Sequence, residues 1–117
     1  MWAIETTDIF DSWLSSLNDS ERACILALLI VLREKGPLLG RPYADTVKGS
    51  RYSNMKELRI QHKGKPLRAF FAFDPYRTAI LLCAGDKSGD EKNFYDSMIP
   101  LAEREYSNHL KNIGKKE

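Results

Sequence analysis

The stretch from Met55 to Lys87 constrains the fold more than any other part of the chain. Three runs typical of β-strands are separated by two short turns, Lys63-Gly64 and Asp74-Pro75-Tyr76-Arg77. A residue followed by glycine between alternating runs is a strong hairpin signal, and Asp and Pro favour the second turn. The stretch therefore predicts three consecutive antiparallel strands.

The first turn predicts the register of the first two strands. A two-residue loop at Lys63-Gly64 places Arg59 directly opposite Arg68. Because side chains alternate between the two faces of a strand, the residues separate into two sets. One face is apolar and faces a core: Leu58, Ile60, Leu67, Ala69 and Phe71. The other face carries Glu57, Arg59, Gln61, Arg68 and Phe70.

The second turn predicts that three cations converge on this second face. Pairing Asp74 with Arg77 places Cys83 opposite Arg68 and puts Lys87 on the side of the two arginines. Like charges directly opposite each other destabilise a sheet, so a fold that keeps them there usually binds an anion. The alternative is that Arg59 pairs with Glu57 or stays solvated at an edge.

The charge of the chain is unevenly distributed although its net value is only +2. Residues 1–47 carry four Lys/Arg and seven Asp/Glu, whereas residues 48–117 carry fourteen and nine. Between residues 48 and 68, seven cations stand against one acid, Glu57. Such a patch is typical of surfaces that bind phosphate or acidic proteins, and an ordinary solvated face is the alternative. Apart from Arg59 and Arg68, the cations of this patch are Lys48, Arg51, Lys56, Lys63 and Lys65, which are candidate RNA-binding residues.

Length and composition predict a single domain over residues 1–117 with a modest core. Cys24 and Cys83 each lie in an apolar run, which predicts two buried free thiols and no disulfide framework. No signal peptide is visible at the N-terminus, and the longest apolar run, Ala23–Leu32, is too short to span a bilayer. A cytoplasmic protein without membrane contact is therefore expected.

The N-terminal third predicts a short strand followed by two antiparallel helices. The strand is Trp2–Glu5, and Thr7–Leu17 has apolar residues at helical spacing. Asn18-Asp19-Ser20-Glu21 resembles a capping box that opens a second helix, which ends near Lys35 at Gly36-Pro37. Its central run is apolar nearly all round, which predicts the most buried helix of the chain.

The remaining segments predict a long connection and a C-terminal helix. Gly36–Asn54 is rich in glycine and proline, and connections of this length are often functional. Ser88-Gly89-Asp90-Glu91 resembles a second capping box. Pro100 is expected to kink or restart the helix that follows, since an interior proline removes a backbone hydrogen bond. Residues 112–117 are expected to fray.

The chemistry-bearing residues are cations and a tyrosine rather than metal ligands. His62 and His109 are isolated, and no Cys/His spacing matches a zinc site, so neither a metal nor another cofactor is predicted. Arg59, Arg68, Lys87 and Tyr95 suit metal-free RNA cleavage, in which a 2′-hydroxyl attacks the adjacent phosphate and arginines stabilise the added charge. Lys87 or Tyr95 would need a depressed pKa to transfer protons, and neighbouring cations favour that shift. Passive binding of RNA, DNA or a protein is the alternative.

The chain resembles the RelE/ParE toxin superfamily, in particular the phage-derived HigB-like toxins of bacterial type II toxin–antitoxin operons. The resemblance extends over almost the whole chain. It rests on the order and spacing of short motifs: Leu39-Gly40-Arg41-Pro42, Glu57-Leu58-Arg59-Ile60, Arg68-Ala69-Phe70-Phe71, Ala84-Gly85-Asp86-Lys87-Ser88, Asn93-Phe94-Tyr95 and Ala102-Glu103. It implies an α+β fold in which an N-terminal strand and helical hairpin pack on an antiparallel sheet of about four strands, followed by a C-terminal helix.

The resemblance also implies a function, partners and site residues. It implies a ribosome-dependent mRNA endonuclease that stops translation and is neutralised by a cognate HigA-like helix-turn-helix antitoxin. Operator DNA would be contacted only through that antitoxin. By position, Arg59, Arg68 and Lys87 match the basic catalytic sites of RelE-like members, and Tyr95 matches a tyrosine on the terminal helix. Lys56 matches a family lysine, although the predicted register turns it to the opposite face.

Two other functions remain open at this point. A ParE-like poison of DNA gyrase belongs to the same superfamily, but it needs no cluster of phosphate-cleaving residues. A module that kept the fold and lost the activity would bind RNA or protein without cleaving, and fold-level analogy does not separate these cases.

Overall fold

The computed structural model describes residues 1–114, in which five strands and three α-helices follow one another along the chain. They are β1 (Ala3–Thr6), α1 (Asp8–Ser16), α2 (Asp19–Lys35), β2 (Ala44–Thr46), β3 (Lys56–His62), β4 (Lys65–Phe73), β5 (Thr78–Asp86) and α3 (Glu91–Gly114). A short 3₁₀ turn, Gly36–Leu38, follows α2. The predicted α+β class and the order of its elements are confirmed.

The sheet is mixed and has five strands, in the order β1-β5-β4-β3-β2. β1 runs parallel to β5, whereas the other neighbours are antiparallel. The prediction of about four antiparallel strands therefore missed β2, and it also missed the parallel pairing of β1 with β5. β2 has only three residues within the glycine- and proline-rich connection, so its sequence carries no alternating pattern long enough to detect.

The hairpin between β3 and β4 has the predicted register, with Arg59 opposite Arg68. Lys63 has φ of 49° and Gly64 has φ of 84°, and positive φ at both central residues is the requirement of a type I′ turn. The predicted core face is confirmed, because all of its members are buried: Leu58, Ile60, Leu67, Ala69 and Phe71.

The hairpin between β4 and β5 differs from the predicted register. Arg68 lies opposite Gly85, and Cys83 lies opposite Phe70. The turn uses one residue more than predicted, with Arg77 at φ of 62°, and the register shifts again between Phe70 and Phe71. The prediction that Cys83 faces Arg68 was therefore wrong.

Helices cover both faces of the sheet, and each face has its own core. The cluster on the side of α1 and α2 includes Phe10, Ile25, Leu32, Leu58 and Phe71. The cluster on the side of α3 includes Met55, Phe70, Leu82, Cys83 and Tyr106. The expectation that the two inner strands β4 and β5 are covered on both sides is confirmed.

Helix α2 has more buried residues than α1 or α3, as predicted, but its apolar surface is not buried all round. Ile25, Leu29 and Leu32 form one buried stripe, but Leu26 is 46% exposed and Ile30 is 60% exposed. A helix packed on one face of a sheet buries one stripe of side chains, whatever the composition of its other side. Cys24 lies outside this stripe and is exposed, contrary to prediction, whereas Cys83 is buried as predicted.

Helix α3 differs from its prediction in two respects. The cap is Asp90, whose Oδ1 accepts a hydrogen bond from the Asn93 amide at 3.1 Å, rather than Ser88. The helix also continues through Pro100 as one element, so it does not restart there. Of the predicted frayed tail, residues 112–114 are helical and residues 115–117 lie outside the described residues. Within residues 1–114, none of the helices combines the length and apolarity needed to span a membrane.

Gly36 provides a test of the packing between α2 and the N-terminal strand. It has φ of 55°, and a Cβ there would lie 2.4 Å from the indole ring of Trp2. Gly36→Ala is expected to lower the free energy of unfolding by about 2–4 kcal/mol through backbone strain and overpacking. Chemical denaturation monitored by circular dichroism measures this change.

Gly40→Ala is the matched control in the next connection. No described heavy atom lies within 4 Å of the added Cβ at Gly40. This variant is expected to remain within about 0.5 kcal/mol of the parent chain. Equal stability of the two variants would contradict the packing role of Gly36.

Candidate active site on the α3 face of the sheet

A buried carboxylate lies at the centre of the predicted cation cluster. Glu57 precedes Arg59 by two residues on β3, so both side chains point toward α3, and Glu57 is 5% exposed. Its Oε1 accepts a hydrogen bond of 2.7 Å from the Tyr95 hydroxyl. Arg59 Nη1 lies 3.5 Å from Oε2, and Arg68 Nε lies 3.9 Å from Oε1. The pairing of Arg59 with Glu57, considered as an alternative, is therefore present.

Arg68 is buried with part of its hydrogen-bonding capacity unused. Its Nη1 donates to the Leu67 carbonyl at 2.9 Å. Its Nε is buried and has no hydrogen-bond partner among the described residues, since the Glu57 oxygen is too distant. A buried unsatisfied donor costs about 1–3 kcal/mol. An anionic oxygen that reached this nitrogen would recover that cost.

Three of the four predicted catalytic residues line one cavity of about 350 Å³. They are Arg59, Lys87 and Tyr95, and Glu57 lies between them. Arg68 instead lines a neighbouring cavity of about 260 Å³, which also contacts Arg59. The remaining residues of the first cavity are Arg41, Asp45, Thr46, Val47, Lys48 and Glu91.

Lys87 lies at the edge of the first cavity. Its backbone amide donates to the Pro66 carbonyl at 2.9 Å, which continues the pairing of β5 with β4. Its Nζ lies 3.1 Å from the carboxylate of Glu91, the first residue of α3, and Glu91 is 65% exposed. An ion pair to an exposed carboxylate contributes little net energy, so the ammonium can turn toward an anion in the cavity.

Strand β2 brings a second ion pair to the cavity wall. Asp45 lies opposite Glu57, and its Oδ2 accepts hydrogen bonds from Nε and Nη2 of Arg41 at 3.0 and 2.7 Å. The hydrogen bond from Arg41 lowers the pKa of Asp45, with a further contribution from the Thr46 amide. Sequence reasoning missed this pair because it did not detect β2.

Gly85 allows α3 to approach the sheet closely at the site. A Cβ at Gly85 would lie 3.0 Å from the ring of Phe94. Phe94 and Tyr95 both pack against Phe70, with ring centroids 6.0 and 5.9 Å apart. This close contact brings the Tyr95 hydroxyl within hydrogen-bonding distance of Glu57.

The five predicted RNA-binding cations do not form one surface. Lys48 lines the first cavity, whereas Arg51 donates to Ser107 on α3 and Lys65 lies 3.1 Å from Glu21 on α2. Lys63 is exposed in the hairpin turn. Lys56 is half-buried, and because it is adjacent to Glu57 on β3, its side chain lies on the opposite face of the sheet from the site. The structure thus brings Lys48 alone of the five to the candidate site.

Burial raises the pKa of Tyr95 to about 12, and its hydrogen bond to Glu57 adds to this effect. Arg68 lowers this pKa, as expected of a neighbouring cation, but burial and Glu57 outweigh it, so Tyr95 does not have the depressed pKa that proton transfer would need. At neutral pH the phenol is a hydrogen-bond donor that holds Glu57, rather than a base. Within residues 1–114, no three His, Cys, Asp or Glu side chains are arranged to hold a metal ion. The site therefore offers cations for a phosphate and a carboxylate for a proton.

The raised pKa of Tyr95 predicts a specific response to alkali. The folded state holds the phenol proton more tightly than the unfolded state, whose tyrosines ionise near pH 10. The contribution of Tyr95 to stability is therefore present below pH 10 and is lost as pH rises toward 12. Tyr95→Phe should lose less stability than the parent chain over this range, measured by urea denaturation at each pH.

Ultraviolet titration provides the control for that measurement. Tyr43→Phe and Tyr76→Phe are the reference variants, since these two side chains are 52% and 54% exposed. Tyr95→Phe should remove an ionisation that occurs near pH 12. If Tyr95→Phe removed an ionisation near pH 10, the buried hydrogen bond to Glu57 would be disproved.

Comparisons with known proteins agree on the family. Residues 12–107 match the family described as phage-derived protein Gp49-like. The chain is 43% identical over 110 residues to HigB2 of Mycobacterium tuberculosis, a protein named as a toxin, covering 93% of this chain. It spans only 54% of the length of HigB2, about half of that relative. It is 44% identical over 100 residues to HigB3 of the same organism, also named as a toxin, covering 86% of each chain.

Solved structures show the same fold at low sequence identity. The isolated E. coli RelE toxin superposes with a TM-score of 0.61 at 11% identity, over 97% of this chain and 99% of that one. A chain of the intact E. coli RelBE toxin–antitoxin complex superposes with a TM-score of 0.58 at 8% identity, over 73% of this chain and 95% of that one. The family match and the two mycobacterial relatives together show that the chain belongs to the phage-derived Gp49-like family and is HigB-like, with a fold similar to that of RelE.

Proposed function

We propose that this protein is a toxin that cleaves mRNA on the ribosome by attack of a ribose 2′-hydroxyl on the adjacent phosphate. The observation that carries the proposal is the opposed pair Arg59 and Arg68, in which a buried Arg68 donor lacks a partner. Family membership adds to it, since both mycobacterial relatives are named as toxins.

The two arginines would bind the reacting phosphodiester. They lie directly opposite each other on β3 and β4, with guanidinium groups that match the geometry of phosphate oxygens. A phosphate between the two cavities that they line would accept the unused hydrogen bond of Arg68 Nε. Preorganised donors of this kind stabilise the extra negative charge of the transition state. Lys87 would contribute a third positive charge from the edge of the first cavity.

Glu57 would act as the general base. Its carboxylate is the buried acceptor that faces both arginines, and Tyr95 orients it through a hydrogen bond of 2.7 Å. The 2′-hydroxyl would transfer its proton to Glu57 as it attacks phosphorus. The departing 5′-oxygen would receive a proton from the Lys87 ammonium. Cleavage would leave a 2′,3′-cyclic phosphate on one fragment and a 5′-hydroxyl on the other.

A cognate antitoxin would neutralise this activity. Solved structures exist both of the isolated E. coli RelE toxin and of the E. coli RelBE toxin–antitoxin complex. We infer a comparable partner for this chain, of the HigA-like helix-turn-helix class, through which operator DNA would be contacted. The partner's gene is expected beside the gene of this protein.

Arg68→Ala tests the phosphate-binding role. We expect a loss of about 10²–10³-fold in the rate of mRNA cleavage on programmed ribosomes, because a preorganised donor to the transition state is removed. Lys92→Ala is the matched control, since Lys92 is an exposed cation of α3 that pairs with Asp96 and lies outside both cavities. Primer extension on the message measures the cleavage rate.

Three outcomes separate the proposal from its rivals. Growth arrest with cleaved messages that Arg68→Ala abolishes supports cleavage by this site. Arrest with intact messages and gyrase-linked DNA breaks would replace it with the gyrase poison. Arrest that is unchanged in Arg68→Ala would favour a binding module without catalysis.

Glu57→Gln tests the general base with little change in shape. We expect a loss of about 10²–10⁴-fold in cleavage, since proton transfer by a positioned side chain contributes an effect of that size. Glutamine can still accept the hydrogen bond from Tyr95, so the thermal midpoint should change less than in Glu57→Ala. A message with a 2′-deoxy nucleotide at the cleavage position should remain intact, and its cleavage would disprove the 2′-hydroxyl mechanism.

A further inference from the structure

A second cluster of reactive side chains lies on the opposite face of the sheet. Cys24 on α2 is exposed, and its Sγ lies 3.2 Å from Nδ1 of His62 at the end of β3. The other ring nitrogen, Nε2, lies 3.1 Å from the hydroxyl oxygen of Ser20. His62 lies on the same face of β3 as Leu58 and Ile60, because side chains two residues apart share a face. This cluster therefore faces α2 rather than the Glu57 site.

The arrangement has the three parts of an activated nucleophile. The thiol and the imidazole are within reach of proton transfer, and a third group holds the imidazole from its other side. When Nε2–H donates to Ser20, Nδ1 has a free lone pair directed at the thiol. The thiol proton can then move to Nδ1, which leaves a thiolate, the reactive form of cysteine.

The surroundings of the Cys24–His62 pair include a buried carboxylate. Glu21 is buried one turn before Cys24 on α2, and its carboxylate lies 3.1 Å from Lys65. The hydrogen bond from the Asn18 amide lowers the pKa of Glu21 most, Lys65 contributes next, and His62 contributes a smaller electrostatic effect. An ionised carboxylate therefore lies near the imidazole ring.

A cavity beside the thiol provides room for a reactant. It has a volume of about 400 Å³, and Cys24 lies in its wall. Most of the lining residues are apolar, and Arg59 and Gln61 of β3 also line the cavity. The other lining residues are Ala27, Leu28, Val31, Tyr43 and Ile60. A group attached to Cys24 would therefore occupy this cavity.

We propose that Cys24 is a site of reversible modification by small disulfides, with His62 as the base that activates the thiol. The Cys24 thiolate attacks one sulfur of the disulfide, so that a new S–S bond forms and the original S–S bond breaks. The released thiolate takes the proton that His62 accepted from Cys24. Cys24 is oxidised to a mixed disulfide, and half of the small disulfide is reduced to a free thiol.

The test uses oxidised glutathione as the probe and the second cysteine as an internal reference. Burial raises the pKa of Cys83 to about 12, so Cys83 should remain unmodified in the folded chain. Peptide mass spectrometry at pH 7 measures the rate of mixed-disulfide formation at each cysteine. Cys24 should react about three- to tenfold faster in the parent chain than in His62→Gln, since the variant has no imidazole beside the thiol to accept its proton.

Two further arms keep the result interpretable. Ser20→Ala removes the group that holds the ring and should lower the rate by less than His62→Gln does. Modification of Cys83 in a variant would reveal loss of the fold. If a variant has lost its fold, the test uses the parent chain alone and compares the rate of mixed-disulfide formation at Cys24 in the folded chain and in urea. The rate should be higher in the folded chain. Equal rates in the parent chain and folded His62→Gln would overturn the proposal, as would a native rate no higher than the unfolded one.

Discussion

The structure depends on the buried carboxylate of Glu57, whose negative charge compensates the positive charges of Arg59 and Arg68. Opposed arginines repel each other across the strand pair, and a buried charge is tolerated only when it is paired. Glu57 lies between them, and Tyr95 donates to it from α3. The same carboxylate therefore balances the charge of the sheet and fixes the position of the C-terminal helix. Removing it would affect both the fold and the candidate site.

This compensation is incomplete, and its incompleteness suits a binding site. The carboxylate is 3.5 Å from Arg59 and 3.9 Å from Arg68, longer than a strong charge-assisted hydrogen bond. A cluster that served stability alone would satisfy the Arg68 Nε donor, which is buried without a partner among the described residues. Natural proteins tolerate such an unsatisfied group where a ligand completes it. The shortest hydrogen bond to Glu57 instead comes from Tyr95, which leaves Arg68 Nε without a partner among the described residues.

The sequence predicted those features that depend on local geometry. Lys63-Gly64 specified a turn type, and the alternation of side chains then fixed the opposed arginines and the apolar face. The prediction failed where tertiary contacts decided the outcome. A positive φ at Arg77 and the shift at Phe70 changed the partner of Arg68, and no pattern in a single strand encodes either. Glu57 was visible as the single acid of the basic window, but its burial and its contact with Tyr95 depend on how closely α3 approaches Gly85.

Arg59 lines three cavities, which lie on both faces of the sheet. β2 covers β3 only as far as Leu58, and the Arg59 amide donates to the Tyr43 carbonyl at 2.8 Å just beyond that strand. From this position Arg59 contributes to the Glu57 cavity, to the Arg68 cavity and to the apolar cavity beside Cys24. Replacing Arg59 would alter all three at once, so a loss of activity would not identify its cause. Arg68 contacts one of the three, which makes it the residue whose replacement tests the proposed phosphate binding most directly.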